Sequence, residues 1–271
     1  MAIADLLAFA ARARVFDLEQ PRFAGMPLHP SHLPGYIYHL YRRHEDTYRP
    51  ERDGPRSSSS GMLTMMEHSG THLDAPSHQA DNLMLCGGVP VSPAIETPMG
   101  FTRRGVEEIA PIAARGVLFD VAAYRGVEEI PLHETISAAE LQACAARQGV
   151  AIESGNVALV RLGNARNWND EARYLASAGM ARDASLWLVE RGVIAVGADN
   201  MAWDAIGVWD AQAGCYLPGH LELLARRGIT IMENLALDEL SRERIYEFLF
   251  VCAPLKFKGA TGSPVRPVAL A

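Results

Sequence analysis

The sequence predicts an α/β protein, with strands and helices alternating along the chain and packed in layers. Two observations carry this. From Gly116 onward, short runs rich in Val, Ile and Leu alternate with segments that read as helices. Glycines that stop helices recur at Gly149, Gly192 and Gly228, each ahead of another strand-like run. A third observation marks the boundary of this pattern. The first 60 residues lack the rhythm, and Pro21, Pro27, Pro30 and Pro34 make them an irregular arm that wraps the domain or a neighbouring subunit. The expected organisation is one domain, with an arm and loop over 1–60 and the α/β body over 61–271.

The elements follow in order. Segment 42–60 has no apolar period and ends in the flexible run Ser57 to Ser60, so it reads as an exposed loop. Met62 to Met66 reads as a buried strand that delivers the chain to His68. Gly116 to Asp120 is a strand. Ser137-Ala-Ala-Glu140 is a capping box, and the helix it opens stops at Gly149. Val157 to Leu162 is a strand. A helix over about 184–191 leads to a strand at Val193 to Val196. A helix from about Pro218 to Arg227 leads to a strand at Ile229 to Met232.

Composition narrows the class of partner. A chain of 271 residues buries a full core without staples. The net charge of −7 argues against a nucleic-acid partner, which calls for a basic stripe. No apolar run approaches the ~20 residues of a membrane span. The N-terminus lacks the basic start and long apolar core of a secretion signal, so a cytoplasmic location is expected. Cys86, Cys144, Cys215 and Cys252 form no C-x-x-C pair and read as small buried hydrophobes.

The histidines are informative. Three of the nine fall between His68 and His78, and the others are scattered. His68 and His72 have helical spacing, but Gly70 lies between them and Pro76 follows, so the segment reads as a strand end entering a turn. His72 and Asp74 then point to one side, and Gly70 lets the backbone fold so that His68 joins them. Two imidazoles and a carboxylate suit Zn²⁺, Mn²⁺ or Fe²⁺ and leave coordination positions open for water. His78, unligated in this reading, is placed to move the water proton.

The run His68-x-Gly70-Thr71-His72-x-Asp74-x-Pro76-x-His78 resembles the signature of the metal-dependent cyclase-like hydrolases, with seven fixed positions matched. That family includes bacterial kynurenine formamidase and isatin hydrolase. Val15 to Pro21, Gly197 to Asn200 and Thr261 to Arg266 are similar to further family segments, so the resemblance extends over most of the chain. It implies an α/β fold with a central barrel-like mixed sheet flanked by helices. It implies that His68, His72 and Asp74 hold a metal and that His78 transfers protons. His220 and Glu233 are similar to the family's distal histidine and glutamate, which complete a two-zinc site in formamidases or assist proton transfer; isatin hydrolases resemble a single-manganese design. One or two divalent ions, Zn²⁺ or Mn²⁺, are therefore expected, in a homodimer or homotetramer. Gly155-Asn156 replaces the Gly-Asp of many members, at a turn that Asn tolerates.

The expected activity is hydrolysis of a C–N bond in a small amide, formamide or cyclic amide, aromatic ones foremost. Ester or lactone hydrolysis by the same centre is the alternative, and a non-catalytic metal-binding protein is a third. No phosphate-binding glycine loop and no G-x-S-x-G elbow is present. Among the tryptophans, Trp203 follows Asp199-Asn200 closely and is a candidate to line the substrate pocket. Phe23, with Tyr36 and Tyr38, is a second candidate, reaching the pocket from the arm of a neighbouring subunit.

Overall fold

The Val-rich runs pair side by side. A computed structural model describes residues 3–271. In it, Ile112–Asp120, Val157–Arg161, Ala195–Ala198 and Thr230–Glu233 form the parallel centre of a nine-stranded sheet. Antiparallel strands flank them. Glu247–Cys252, Val268–Leu270 and Val15–Asp17 extend one side, and His72–Asp74 and Gly262–Pro264 extend the other.

One link forces this sheet to curl. Only three residues separate Gly262–Pro264, at one edge, from Val268–Leu270, next to the opposite edge. Seven strand spacings laid flat would separate them by ~33 Å. A four-residue step reaches at most ~14 Å. The sheet therefore bends into a half-barrel, and the chain stitches its mouth. Leu18 donates to Pro267 O and accepts from Ala236, and the Gln20 amide donates to the Thr71 hydroxyl at 2.8 Å.

Side chains alternate between two cores, as strand pleating requires. Val117, Phe119, Val160 and Val196 face the helices together with Leu141, Leu188 and Leu223. Leu118, Leu159, Met232 and Leu73 face the inside of the curl with Phe16, Leu235 and Phe250. Burial on both faces explains why the central strands read as continuous apolar runs.

Several expectations shift. Met62 to Met66 is not a buried strand. The strand is Ser60–Thr64, among the described residues it pairs only with Ile37–Arg42, and Met62 and Leu63 are each 54% exposed. A short apolar run carries no information about whether a partner covers it. Segment 42–60 is exposed but contains two helical turns, His44–Thr47 and Pro50–Asp53. Half of the capping box forms: Ser137 Oγ accepts from the Glu140 amide, while the Glu140 carboxylate turns to Arg125. The strand expected at Val193 starts at Ala195, because the Val193 amide still bonds back to Leu188 O in the preceding helix. The helix expected from Pro218 is a single turn, Pro218–His220, that widens into a π-helical stretch over Leu221–Ala225. Cys86, Cys144 and Cys252 are buried and Cys215 is half-buried.

Asp199, just past the end of Ala195–Ala198, fixes the neighbouring strand end. Its carboxylate accepts from the amides of Leu162, Gly163 and Asn164 at 2.7–3.0 Å. Burial nevertheless raises its pKa from 3.8 to about 6, against the pull of the Leu162 amide and Arg161. A pKa higher in the folded than in the unfolded chain gives stability that is full below pH 3.8 and lost as pH rises to about 6. The stability advantage of the wild type over Asp199→Asn, read by urea denaturation, is expected to narrow by up to about 3 kcal/mol across that window. An advantage that stays flat or widens contradicts this account.

Candidate metal centre

The site lies where three strands bring their ends together, beyond the carboxyl ends of the parallel strands. His72–Asp74 runs between Thr230–Glu233 and Gly262–Pro264, and its register sets His72 directly opposite Glu233. Pleating places His72 and Asp74 on one face and sends Leu73 into the inner core. His72 Nε2 lies 3.3 Å from Asp74 Oδ1 and 3.4 Å from Glu233 Oε2.

The turn before this strand is fixed by polar contacts. Gly70 has φ +65°, a left-handed conformation that favours glycine. Its carbonyl accepts from His72 Nδ1 and from Asn234 Nδ2, both at 2.8 Å. Thr71 Oγ1 donates to Asn234 O at 2.6 Å. His68 reaches the cluster from the other side of the turn. Its Nδ1 lies 2.8 Å from Asp74 Oδ1, and its Nε2 is 2.8 Å from the Thr261 hydroxyl. A Cβ on Gly262 would meet the His68 ring at 2.7 Å, so glycine there is what admits the imidazole.

His220 arrives from the Pro218–His220 turn and is oriented by Asp204. Asp204 accepts from His220 Nδ1 at 2.8 Å and from the amides of Gly219 and His220. His220 Nε2 then faces Glu233 Oε1 at 3.3 Å and Asp74 Oδ2 at 3.6 Å.

Proton placement shows what the cluster can hold. The Gly70 carbonyl and the Asp204 carboxylate each take an Nδ1–H, from His72 and His220. The Thr261 hydroxyl donates to Glu67, so it accepts from His68 Nε2–H. Each of the three rings thus turns its remaining nitrogen toward Asp74 or Glu233, which are acceptors themselves. Asp74 Oδ2 is buried without a hydrogen-bond partner. While the rings are neutral, these converging lone pairs have no donor among them; a cation compensates them, as protons on His72 and His220 do otherwise, and the donor set of imidazoles and carboxylates fits Zn²⁺ or Mn²⁺.

Two ligand groups are present among the described residues. The ligand atoms of His72, Asp74 and Glu233 lie within 4.8 Å of one another, and so do those of His68, Asp74 and His78. Asp74 belongs to both. His78, expected to move protons beside the ligands, lies within one of these two groups, with its ring centroid 4.0 Å from that of His68. The electrostatics agree with an assembly built around positive charge. Burial raises the Glu233 pKa and the Asp74 charge adds to that. Burial lowers His72, but Asp74 and Glu233 outweigh it and the net shift is upward. His220 is raised well above its ordinary value, burial being outweighed first by Asp204 and then by Asp74 and Glu233. Burial lowers His78 to about 3, with His68, His220 and His72 adding to the effect, which keeps it in the neutral form that ligates.

A cavity of about 120 Å³ opens over this floor. Six of the nine histidines line it, because the arm of the same chain contributes His29 and His32 to the four already described. The His32 ring stacks on His68 at 4.9 Å. Met201 and Leu217 form an apolar wall. Trp203 does not line the cavity: it is fully buried in the helix-side core, and its indole donates to Ser185 Oγ at 2.9 Å. Phe23 is also absent from the lining. It packs against a cluster of Met26, Trp168, Tyr174 and Met201 in its own chain, one side chain behind the wall. Sequence reasoning missed Asp204, Thr261 and the two arm histidines. His29-Pro30-Ser31-His32 was a visible local signal; Thr261 stood in a segment similar to the family's without a role attached, and Asp204, remote in sequence from His220, gave no signal.

Comparison with known proteins identifies the family and the fold. Cyclase-like protein 3 of Oryza sativa subsp. japonica is 28% identical over 218 residues, covering 79% of this chain and 66% of its own. The chain therefore spans just under two thirds of that protein's length. A kynurenine formamidase of Paracidovorax citrulli is 26% identical over 257 residues, covering 94% of this chain and 95% of its own. A crystal structure described as a novel cyclase superposes with TM-score 0.84 at 26% identity, over 100% of this chain and 92% of the other. Isatin hydrolase A from Ralstonia solanacearum shares the fold, with TM-score 0.73 at 24% identity over 100% and 97% of the two chains. The model of a family described as putative cyclase matches residues 16–205, the stretch that holds the whole His68-to-His78 run and the Asp199 strand end. With well over half its length matched and the half-barrel shared, the chain belongs to the putative cyclase family.

Proposed function

We propose that this protein is a metal-dependent hydrolase cleaving the C–N bond of a small amide, formamide or cyclic amide. The observation that carries the reading is the set of imidazole nitrogens and carboxylates converging at the floor of an open cavity. The kynurenine formamidase relative supports the reaction class. A purely structural metal site would be closed by protein ligands; here a cavity adjoins the ligands.

His72, Asp74 and Glu233, with His220 Nε2 beside them, would hold one Zn²⁺ or Mn²⁺, and His68, Asp74 and His78 would hold a second. A divalent cation here supplies a Lewis acid for the amide carbonyl and lowers the pKa of a water toward ~7. The protein groups manage the proton. A ring held near 3 is a poor base at neutral pH, so His78 fits the ligand role better than the shuttle role. Glu233, raised by burial and by Asp74, is the better proton carrier from water to leaving nitrogen. Met201 and Leu217 give an apolar surface for an aromatic or cyclic substrate.

We also propose that the protein works as a homodimer or homotetramer. Tyr38, Leu40, Tyr41, Met62 and Leu63 are at least half exposed on the two sides of the Ile37–Arg42/Ser60–Thr64 ribbon, an exposed apolar element of the kind that a partner covers. Light scattering at micromolar concentration is expected to give at least twice the 29.5 kDa chain mass, and a monomer refutes it.

Metal analysis of the purified protein is expected to find one to two divalent ions per chain. His72→Ala should lose metal and at least a thousandfold in rate, and turnover that survives dialysis against a chelator refutes the reading. N-formylkynurenine, isatin and a simple lactone, assayed in parallel, separate amide from ester cleavage. Asp204→Asn should keep the fold but weaken metal binding ~10–100-fold, because His220 loses the carboxylate that fixes its tautomer. Unchanged affinity in a chelator-competition titration would remove Asp204 from the site's support.

A further inference from the structure

We propose that His29 and His32, on the arm, form a recognition wall that hydrogen-bonds a second acceptor oxygen of the substrate, away from the bond that is cut. This rests on the amide-hydrolase reading of the same cavity. Both side chains line the cavity, and neither belongs to the two ligand groups found among the described residues. They are therefore neighbours of the metal ligands rather than members of the set.

The arm holds these rings in place. Pro21 O accepts from the Trp168 indole at 2.8 Å, and Met26 is buried against Trp168, Tyr174 and Met201. Pro30 opens the short turn Pro30–His32, and His29 caps it: His29 Nδ1 accepts from the Ser31 amide at 3.3 Å and meets Ser31 Oγ at 2.6 Å. With Nδ1 accepting, the ring proton is on Nε2. That N–H has no partner among the described residues. The His32 ring centroid lies 5.9 Å from that of His29, 4.9 Å from His68 and 6.0 Å from His78, so it spans from the arm to the metal floor. Neither nitrogen of His32 has a hydrogen-bond partner among the described residues. Both rings are only half-buried, so cavity water can pair these nitrogens and a ligand oxygen can take its place. A ligand oxygen in the cavity would satisfy both rings at once. The fitting class is an amide that also carries a ketone or carboxylate oxygen.

A matched pair tests this: formanilide, and the same compound with an ortho acetyl group. The wild type should favour the acetyl compound through KM. His29→Phe and His32→Phe should each raise its KM about tenfold, one hydrogen bond's worth, while KM for formanilide changes less than threefold. Metal content should be unchanged, and His29→Gln and His32→Asn should restore part of the preference. Equal losses on both substrates, or loss of metal, overturn the inference. Calorimetry with the products, 2-aminoacetophenone and aniline, repeats the comparison without turnover. If the wild type cleaves neither amide but binds 2-aminoacetophenone more tightly through these two histidines, the wall stands and the reaction assignment falls. If it binds both products equally, the wall falls.

Discussion

The rest of the site depends on Asp74. Its carboxylate is buried, faces nitrogens of His68, His72 and His220, and has one oxygen with no hydrogen-bond partner. A buried carboxylate is costly unless positive charge compensates it. The protein spends no Lys or Arg on it: the surrounding groups are neutral-capable imidazoles whose outer nitrogens are already committed to Gly70 O, Asp204 and Thr261. Those commitments turn lone pairs inward. The centre is thus a negative hollow prepared for a cation, and the supporting partners matter as much as the ligands.

The half-barrel makes this hollow possible. His72–Asp74 is held between Thr230–Glu233 and Gly262–Pro264, so the ligands are set by ladder register rather than by a flexible loop. Gly262–Pro264 can occupy that edge because the sheet curls enough for the chain to cross to Val268–Leu270 within four residues. The same closure presses residues 18–20 against Thr71 and Ala236, and this directs the arm toward the cavity. Fold and site are therefore coupled at Thr71, which meets Gln20 through its hydroxyl and Arg22 and Val265 through its carbonyl.

What the sequence made legible follows from distance along the chain. His68, His72, Asp74 and His78 were readable because one local turn gathers them, and Gly70 and Pro76 exclude a helix. The parallel strands were readable because burial on both faces leaves an unbroken apolar run. His220 and Glu233 were reached only through resemblance, since no local pattern ties them to His72. Asp204 is 16 residues from His220 and Thr261 is 193 from His68, and nothing in composition marks such pairs. Met62 to Met66 and Trp203 were misplaced for one shared reason. An apolar residue reports that it can be buried, but not whether a partner arrives, nor which core receives it.

The His78 assignment turns on the same physics. As an isolated residue beside a metal motif, a histidine near its ordinary pKa makes a good proton shuttle. In the folded chain it is packed among His68, His72 and His220, and burial removes the water that would stabilise its charge. A ring so disfavoured as a cation is a good ligand and a weak base. Glu233 experiences the opposite: burial and the Asp74 charge both favour its protonated form. Crowding one carboxylate against another while surrounding a histidine with histidines therefore moves proton affinity from the imidazole to the carboxylate. Proton affinity within the cluster is thus set by neighbours, not by residue type.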